Sequence, residues 1–393
     1  MKSEIVIAGY KGGVLSALYE DEKIYELALE SASPQVCVGD IYIGKIKNIV
    51  KNLSAAFVEI RPGVMGYYPA AGSQAYHFTS RKSSAAAVTG DEILVQVSRE
   101  NIKTKDWILT GDISYTGNYA VYFPFRTDIR ISSRIDSEGA RERLKKLAED
   151  FPAPGGWMLR TLAKDSSDKD IIAEMQKLLD DHNEIMSTYR FRTCFSRLRE
   201  GDRACVSMVR RSMKAGNCRI VTDLPQIYEQ IRGMGNVSLY KDPSYSLIKL
   251  RGLESQLDRL LRKKVWLPSG GYLVIEQTEA MTVIDVNTGK ATKKRNREEN
   301  FFMVNMEAVR EALRQIRARN ISGMILIDVI NMKSEAERSA LLAQAEKYAR
   351  RDPVQTKVVD LTKLQIMEIT RRKERRSLQE QAAGLDLQSD SPF

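Results

Sequence analysis

Apolar and polar residues alternate along the first part of the chain with the two-residue period of β-strands. Residues 4–30 alternate around a turn at Gly12-Gly13 and predict consecutive hairpin strands. Residues 35–115 continue the pattern in five short segments separated by turns, which predicts a small closed barrel. The strands of this barrel are expected at Val36–Val38, Ile41–Ile46, Ala55–Ile60, Gly66–Tyr68 and Ile93–Ser98.

The middle of the chain changes to the 3.6-residue period of helices. After a further strand at Tyr119–Pro124, helices are predicted at 137–150, with Ser137 as the N-terminal cap, and at 168–190. Leucines at helical spacing within 246–262 predict another helix, and packing into a core explains that stripe fully.

From Val265 onward, strand and helix patterns alternate as in α/β proteins. Strands are predicted at Tyr272–Gln277 and Met281–Val286, and Met324–Ile330 is an apolar run typical of a buried parallel strand. The remaining elements follow from capping residues, periodicity and composition. They are a helix capped by Asn296 and Glu299, a helix starting with Ser334 and Glu337, a strand at Val354–Leu361, a helix from Thr362 into Arg371–Arg376 and a frayed tail at 380–393.

Two aspartates lie near the carboxyl ends of apolar strands. Asp285 stands in Ile284–Asn287 and Asp328 in Ile327–Ile330, 43 residues apart. The helix between them makes a right-handed βαβ unit, so the two strands should be parallel and close. Sites in such sheets form beyond the carboxyl ends of strands, which would bring both carboxylates into one crevice. Their repulsion favours a cation, and Mg²⁺ accepts one or two carboxylates together with water and phosphate.

Asn287 lies on the same side of its strand as Asp285, where it would orient an attacking water or a phosphate oxygen. Basic residues that would contact phosphate follow it, namely Lys290, Lys293, Lys294 and Arg295. A second interpretation of these residues stays open: each aspartate ends a strand and caps a turn, and the lysines are only solvated.

The charge balance of the chain favours a polyanion as partner. Lys and Arg outnumber Asp and Glu by 61 to 51, which gives a net charge of +10 and a pI near 9.2. Only two histidines occur, His77 and His182, so carboxylates or lysines would have to carry any catalysis.

Cysteine spacing and hydropathy argue against a zinc-binding protein, a disulfide-rich protein and a membrane protein. The four cysteines include no Cys-x-x-Cys pair, so buried free thiols are expected instead of a zinc site or a disulfide framework. No apolar run reaches the length of a membrane span, and the N-terminus does not resemble a signal peptide. A cytoplasmic protein without a membrane partner is expected.

Five segments around the two aspartates form one composite motif, namely Leu267–Gly271, Val274–Ala280, Ile284–Asn287, Ala291-Thr292 and Ile325–Met332. Together these segments resemble the ribonuclease E/G family. The resemblance implies an α+β multidomain fold, in which an RNase H-like domain is split around an inserted OB-type RNA-binding barrel and a 5′-sensor, followed by a DNase I-like α/β catalytic domain. The implied boundaries are 1–35 and 205–264 for the RNase H-like parts, 36–118 for the barrel, 119–204 for the 5′-sensor, 265–379 for the catalytic domain and 380–393 for a flexible tail.

The resemblance also implies a function. It implies an endoribonuclease of the compact ribonuclease G type, which cleaves single-stranded RNA in rRNA or mRNA processing or decay. Asp285 and Asp328 would bind Mg²⁺ and, with Asn287, form the catalytic site. Water activated by the metal would leave 5′-phosphate and 3′-hydroxyl ends.

RNA-contacting residues are implied by the same resemblance. Arg160 and Thr161 match a pocket for a 5′-monophosphate, although a surface ion pair of Arg160 is the open alternative. Aromatic and basic residues match the RNA contacts of the family's barrel, namely Phe57, Tyr67 and Lys105. The open alternative for the two rings is that they belong to the barrel core and that Tyr68 is exposed instead.

Two departures from the family pattern change the expectations. No cysteine follows Cys218, so no structural zinc is expected, and any homo-oligomer would lack a zinc link. Asn331 stands where the family usually has an aspartate, which would remove one carboxylate near the site. The runner-up function is therefore a catalytically weak RNA-binding or ribosome-assembly factor.

Overall fold

The computed structural model divides the chain into two compact units. The first comprises 1–33, 204–211 and 217–393, and the second comprises 34–203 and 212–216. No helix in the described part of the chain is long and apolar enough to cross a membrane. The described residues are 3–31, 36–69, 76–80, 86–100, 106–133, 135–212, 218–289 and 297–389, the last four by their backbone alone.

The alternating N-terminal segment forms the predicted hairpins of the first unit. Its strands pair antiparallel in chain order, and inward side chains such as Leu15 and Leu27 are buried. Lys11 and Gly12 have positive φ angles of 45° and 69° in the first turn, a geometry that glycine adopts at no steric cost. The strands are β1 (Ser3–Tyr10), β2 (Gly13–Glu20) and β3 (Lys23–Ser31).

A closed five-stranded barrel lies in the second unit, which confirms the predicted barrel. This part contains β4 (Ile41–Val50), a 3₁₀ turn (Lys51–Leu53), β5 (Ala55–Arg61), β6 (Val64–Pro69), β7 (His77–Phe78), β8 (Glu92–Arg99) and β9 (Trp107–Thr110). The barrel closes in the order β4-β5-β6-β9-β8 because β8 returns to pair with β4. The strand predicted at Val36–Val38 is wrong: the Asp40 carboxylate accepts the backbone N–H of Cys37 at 2.9 Å, and the segment turns.

The rest of the second unit is a four-stranded sheet packed against two helices. Its elements are β10 (Tyr115–Thr116), β11 (Ala120–Phe123), β12 (Ile129–Ile131), α1 (Glu138–Asp150), β13 (Gly156–Leu159), a 3₁₀ helix (Thr161–Asp165), α2 (Asp168–Thr188), a 3₁₀ turn (Tyr189–Phe191) and β14 (Arg197–Arg199). The strands run in the order β10-β11-β13-β12, while β14 pairs with β4. Both predicted helices are confirmed, and the Ser137 hydroxyl caps α1 by accepting the N–H of Ala140.

Two parallel strands of the first unit extend the N-terminal hairpins. The elements are α3 (Ala204–Ser212), β15 (Cys218–Thr222), α4 (Pro225–Ile231), β16 (Asn236–Leu239), α5 (Leu247–Leu250) and α6 (Leu253–Leu261). The sheet has the order β16-β15-β1-β2-β3, with β15 parallel to β1 and β16 parallel to β15. The helix predicted at 246–262 is divided at Gly252, whose φ is 56°.

A six-stranded sheet forms the C-terminal part of the first unit. Its elements are β17 (Lys264–Trp266), β18 (Tyr272–Gln277), β19 (Met281–Asn287), α7 (Arg297–Ala318), β20 (Gly323–Asp328), α8 (Glu335–Ala349), β21 (Thr356–Leu361), β22 (Ile366–Arg371) and α9 (Leu378–Ser389). The strand order is β17-β18-β19-β20-β22-β21, and α7 and α8 pack on one face. Ser334 caps α8 through the N–H of Glu337, as predicted, whereas Asn296 lies outside the described residues.

The helix predicted from Thr362 is wrong, because this segment is a hairpin. Thr362 and Ile366 share backbone hydrogen bonding across a turn in which Gln365 has a φ of 64°. The following residues alternate in burial, with Met367 and Ile369 inside, as a strand requires. The resulting β22 enters the sheet between β20 and β21 and runs antiparallel to both.

The frayed tail predicted from residue 380 is also wrong as far as Ser389. Ser377 and Glu380 form a reciprocal capping box: the N–H of Ser377 donates to the Glu380 carboxylate at 2.7 Å, and the N–H of Glu380 to the Ser377 hydroxyl at 3.4 Å. The helix α9 that they start buries Leu378 and Leu385 against the N-terminal sheet. Packing, together with this cap, therefore orders a segment whose composition is typical of a tail.

None of the four cysteines forms a disulfide. Cys37, Cys205 and Cys218 are buried, as predicted, and Cys194 is only partly buried. Burial raises the pKa of both Cys194 and Cys218, which keeps these thiols protonated near neutral pH.

Candidate active site

Asp285 and Asp328 lie side by side at the carboxyl ends of neighbouring strands. β19 and β20 are parallel, and their register places Asp285 directly opposite Asp328. Both residues are exposed. The predicted parallel arrangement is therefore confirmed, and a strand spacing of roughly 4.8 Å brings both carboxylates within reach of one cation.

The alternation of side chains along these strands decides which face carries the aspartates. Ile284, Ile325 and Ile327 are buried beneath α7 and α8. Successive side chains of a strand point to opposite faces, so Asp285 and Asp328 project from the other side of the sheet. This side, opposite to α7 and α8, is called the open face below.

A buried asparagine fixes the chain that leaves β20. Asn305 of α7 is fully buried, and its side-chain amide donates to the carbonyl of Ile330 at 2.7 Å. Its side-chain oxygen accepts the N–H of Ile330 at 2.9 Å. These paired bonds hold the backbone two residues beyond Asp328, so Asn305 is a positioning residue. Its signal in the sequence is a polar side chain within the apolar stripe of α7, which the hydrophobic pattern alone does not explain.

Asn287 contacts Asp285 on the open face. The amide Nδ2 of Asn287 donates to Oδ2 of Asp285 at 2.7 Å. This bond engages one carboxylate oxygen and restricts the rotation of the Asp285 side chain. The structure thus gives Asn287 a positioning contact, while its expected contact with water or phosphate stays a prediction.

Glycines of the motif allow the backbone to pack closely beside Asn287. A Cβ on Gly271 would lie 2.8 Å from the carbonyl oxygen of Asn287. A Cβ on Gly289, whose φ is 53°, would lie 2.3 Å from the carbonyl oxygen of Gly270. A side chain at either position would displace the end of β19 that carries the site.

The donors at this site fit Mg²⁺. Asp285 and Asp328 offer hard carboxylate oxygens, and Mg²⁺ binds through one or two carboxylates while it keeps several waters. No group of three or more His, Cys, Asp or Glu side chains converges within the described residues. Asn331 is exposed three residues beyond Asp328 and adds no carboxylate. Among the described residues, Asp285 and Asp328 are the two carboxylates that the strand register brings together here.

The basic residues predicted to contact phosphate lie outside the described residues, and their roles stay predictions. They are Lys105, Lys290, Lys293, Lys294 and Arg295. On the open face, the exposed Glu276 is paired with Lys263 at 2.8 Å. The hydrogen bond from Lys263 holds the pKa of Glu276 below its usual value, so this carboxylate is already matched by a cation.

Phe57 and Tyr67 are cross-strand neighbours on the barrel. The register pairs them between β5 and β6, and their ring centroids are 5.9 Å apart in an edge-to-face arrangement. Both are partly exposed, whereas Tyr68 is fully buried in the barrel core. The alternative with these two rings in the core and Tyr68 exposed is therefore wrong.

Arg160 and Thr161 lie where β13 leads into a 3₁₀ helix. The Arg160 guanidinium donates from Nη1 to the carbonyl of Gly117, and the hydroxyl of Thr161 is 3.1 Å from that of Ser132. Both residues are half-buried. A guanidinium carries five N–H donors, and the contact with Gly117 anchors this one to the backbone.

Residues 114–374 match the family model described as the Ribonuclease E/G family. The chain belongs to the ribonuclease E/G family. Ribonuclease G of Salmonella typhimurium is 31% identical over 398 residues, which cover 96% of this chain and 79% of that protein. Ribonuclease G of Escherichia coli strain K12 is 30% identical over 397 residues, with the same coverage. Ribonuclease E of Synechocystis sp. is 32% identical over 397 residues, 97% of this chain and 58% of that protein.

Family membership confirms the resemblance seen in the sequence. The matched region includes the two aspartates and the Arg160-Thr161 pair, while Phe57 and Tyr67 precede it and lie within the range shared with the whole-chain relatives. The roles of individual residues stay predictions, since membership of the ribonuclease E/G family assigns no function to a particular side chain.

Proposed function

We propose that this endoribonuclease of the ribonuclease E/G family cleaves single-stranded RNA at a Mg²⁺ site formed by Asp285 and Asp328. The observation that carries the proposal is the register of β19 and β20, which makes the two exposed carboxylates direct neighbours. Cleavage would leave 5′-phosphate and 3′-hydroxyl ends and would serve the processing or decay of rRNA or mRNA.

Each residue of the site has a separate task in this proposal. Asp285 and Asp328 hold the cation, and Asn287 keeps the Asp285 carboxylate oriented through its 2.7 Å hydrogen bond. Bound there, Mg²⁺ would lower the pKa of water and neutralise charge on the scissile phosphate. Asn305 fixes the backbone after Asp328 and so limits the movement of the second carboxylate.

RNA would be held by contacts that do not depend on base sequence. The partly exposed rings of Phe57 and Tyr67 offer surfaces on which unpaired bases can stack. The net charge of +10 favours contacts with phosphate, to which Lys105 and the segment Lys293–Arg295 would contribute.

The finer architecture and setting also belong to the proposal. The sheet that contains β1 and β15 would be the RNase H-like part, the barrel would be of the OB type, and the six-stranded sheet would be the DNase I-like catalytic part. We further propose a cytoplasmic protein that requires no structural zinc, with any homo-oligomer held by contacts other than a zinc link.

A cleavage assay with controlled metal tests the proposed function. A 5′-monophosphorylated, A/U-rich oligonucleotide should be cut in Mg²⁺, remain intact in EDTA and be cut again when Mg²⁺ is returned in excess. Ligation of the products should identify 5′-phosphate and 3′-hydroxyl ends. Cleavage that continues in EDTA would contradict the metal site, and tight binding without any cleavage would favour the RNA-binding or ribosome-assembly factor.

The substrate's 5′ end should be sensed by Arg160 and Thr161. A planar guanidinium and a hydroxyl suit a terminal monophosphate, since hydrogen bonds to charged groups contribute about 1.5–3 kcal/mol. RNA with a 5′-monophosphate should therefore be cleaved about 10- to 150-fold faster than RNA with a 5′-hydroxyl. Arg160→Ala should remove this ratio and barely change the rate on the 5′-hydroxyl substrate.

Lys145→Ala is the matched control for this measurement. Lys145 makes an exposed ion pair with Glu149 at 3.6 Å within α1, so the control removes a cation from the same unit and leaves the hydrogen bonds that Arg143 makes to the 3₁₀ helix in place. It should preserve the ratio between the two substrates. An equal loss on both substrates in Arg160→Ala would mean that Arg160 supports folding or general RNA binding and does not sense the 5′ end.

A further inference from the structure

An exposed aromatic cluster with a lysine at its centre lies on the open face of the six-stranded sheet. Trp266 is 64% exposed, and its ring centroid is 5.2 Å from that of Tyr272 in an edge-to-face arrangement. The ammonium of Lys264 lies 4.2 Å from the centroid of the Trp266 ring and 3.6 Å from that of Tyr272. Lys264, Trp266 and Tyr272 are called the tryptophan cluster below.

The register of the sheet connects this cluster directly to the aspartates. Lys264 pairs with Val274, Val274 with Asp285, and Asp285 with Asp328, so these residues form one row across four strands. Lys264 is two strands away from Asp285, a separation of roughly 10 Å at ordinary strand spacing.

The adjacent row contains the rings. Trp266 pairs with Tyr272, and Tyr272 pairs with Asn287, the residue that donates its hydrogen bond to Asp285. Paired residues of neighbouring strands project from the same face, so the rings stand beside the candidate site and not behind it. A nucleotide adjoining a phosphate held at Asp285 and Asp328 would therefore come within reach of these rings.

We propose that the tryptophan cluster is a subsite for one unpaired base next to the scissile phosphate, with Trp266 as its stacking surface. Lys264 orders the rings through cation–π contacts and places a positive charge near the RNA backbone. A ring surface accepts any base, which matches an enzyme that acts on single-stranded RNA of varied sequence. This inference rests on the proposed function, because it takes the phosphate position from the aspartate pair.

If the tryptophan cluster had a purely structural role, its mutations would have different effects. β17 is the edge strand of its sheet, and a lysine at an edge discourages pairing with another chain. Leu267 and Leu273 are buried in the core beneath this part of the sheet, whereas Trp266 is 64% exposed and lies outside that core cluster. A residue that only protected the edge would affect stability or aggregation, and its loss would not depend on the bases present in the substrate.

The test is a double-mutant cycle in which one change is made in the protein and the other in the RNA substrate. Cleavage is measured for wild type and Trp266→Ala on a set of oligonucleotides, each lacking the base at one position near the cut. Trp266→Ala should lower kcat/KM on intact RNA by about 5- to 150-fold, the range that a stacking energy of about 1–3 kcal/mol corresponds to. At one position, removal of the base should lower the kcat/KM of wild type by a similar factor and should not lower the kcat/KM of Trp266→Ala any further.

Two control variants distinguish loss of a stacking ring from a general effect of altering this face of the sheet. Trp266→Phe should recover most of the activity, and Met324→Ala, which removes a 51% exposed side chain four residues before Asp328 on the same face, should change it by less than about twofold. Kd for intact and base-lacking RNA, measured in EDTA, should show the same cycle for binding. If the losses from Trp266→Ala and from removal of a base multiply at every position, the subsite proposal is wrong. This outcome is distinguishable from failure of the proposed function, because Asp285→Asn would still abolish cleavage and so support the aspartate site itself.

Discussion

Replacing Asp285 or Asp328 with asparagine should lower the rate of RNA cleavage by about a hundredfold or more and leave RNA affinity nearly unchanged. The amide keeps the size of the carboxylate but removes its charge, so one of two hard ligands for Mg²⁺ is lost. Both aspartates are exposed, and the buried isoleucines beside them carry the packing of β19 and β20. Folding should therefore be retained. Measurements of kcat and KM in Mg²⁺, with Kd in EDTA, separate cleavage from binding.

Glu276→Gln is the matched control for the aspartate variants. Glu276 is an exposed carboxylate on the same face, and its charge is paired with Lys263. Because solvent screens this exposed pair and the substitution leaves both aspartates in place, cleavage should change by less than about fivefold. Cleavage near the wild-type rate in either aspartate variant would contradict the two-aspartate site. An equally large loss in Glu276→Gln would show that the charge of the whole face matters, and not the pair.

Asp352→Ala should destabilise the six-stranded sheet by about 3–5 kcal/mol, because it leaves a buried arginine without its counter-charge. Arg371 of β22 is 4% exposed, and its Nε donates to the Asp352 carboxylate at 2.7 Å. The same guanidinium donates to Asn320 and to the carbonyl of Ile321. β22 pairs with β20 along its whole length, so the loss should reach the strand that carries Asp328.

Hydrogen exchange of the backbone amides in β20 and β22 measures the loss of stability of these two strands directly. Protection in both strands should fall by about two orders of magnitude or more in Asp352→Ala. Glu346→Ala is the control, since Glu346 makes an exposed ion pair with Arg350 in the same region, and it should cost less than about 1 kcal/mol. Unchanged protection of β22 in Asp352→Ala would mean that solvent reaches the Arg371 guanidinium readily.

Elements that depend on local signals could be predicted from the sequence. The Ser137 and Ser334 caps start helices α1 and α8 as expected, because a hydroxyl that accepts an N–H two or three residues later is a local interaction. The aspartate pair was predictable for a related reason: the apolar runs around Asp285 and Asp328, joined by one helix, leave a parallel pairing as the favoured topology.

Elements whose identity depends on distant partners could not be predicted in the same way. The segment 366–371 contains good helix formers, yet it becomes β22 because β20 and β21 supply hydrogen-bonding partners on both sides. Helix α9 had a local signal in Ser377 and Glu380, but its stability comes from burying Leu378 and Leu385 against strands far away in the chain. Tertiary packing overrides composition in both cases.

The sequence by itself determined which residues form the candidate site, and the tertiary structure decided which side chains lie beside them. Two aspartates at strand ends, an asparagine two residues beyond one of them and an excess of positive charge favour a site for a hard cation and a polyanionic partner before any fold is known, and the resemblance to the ribonuclease E/G family implies that the polyanion is RNA. Only the pairing of β17, β18, β19 and β20 brings Lys264, Trp266 and Tyr272 beside those aspartates. The physical reason is that side chains become neighbours across a sheet through strand register, which depends on the packing of the whole sheet and not on separation along the chain.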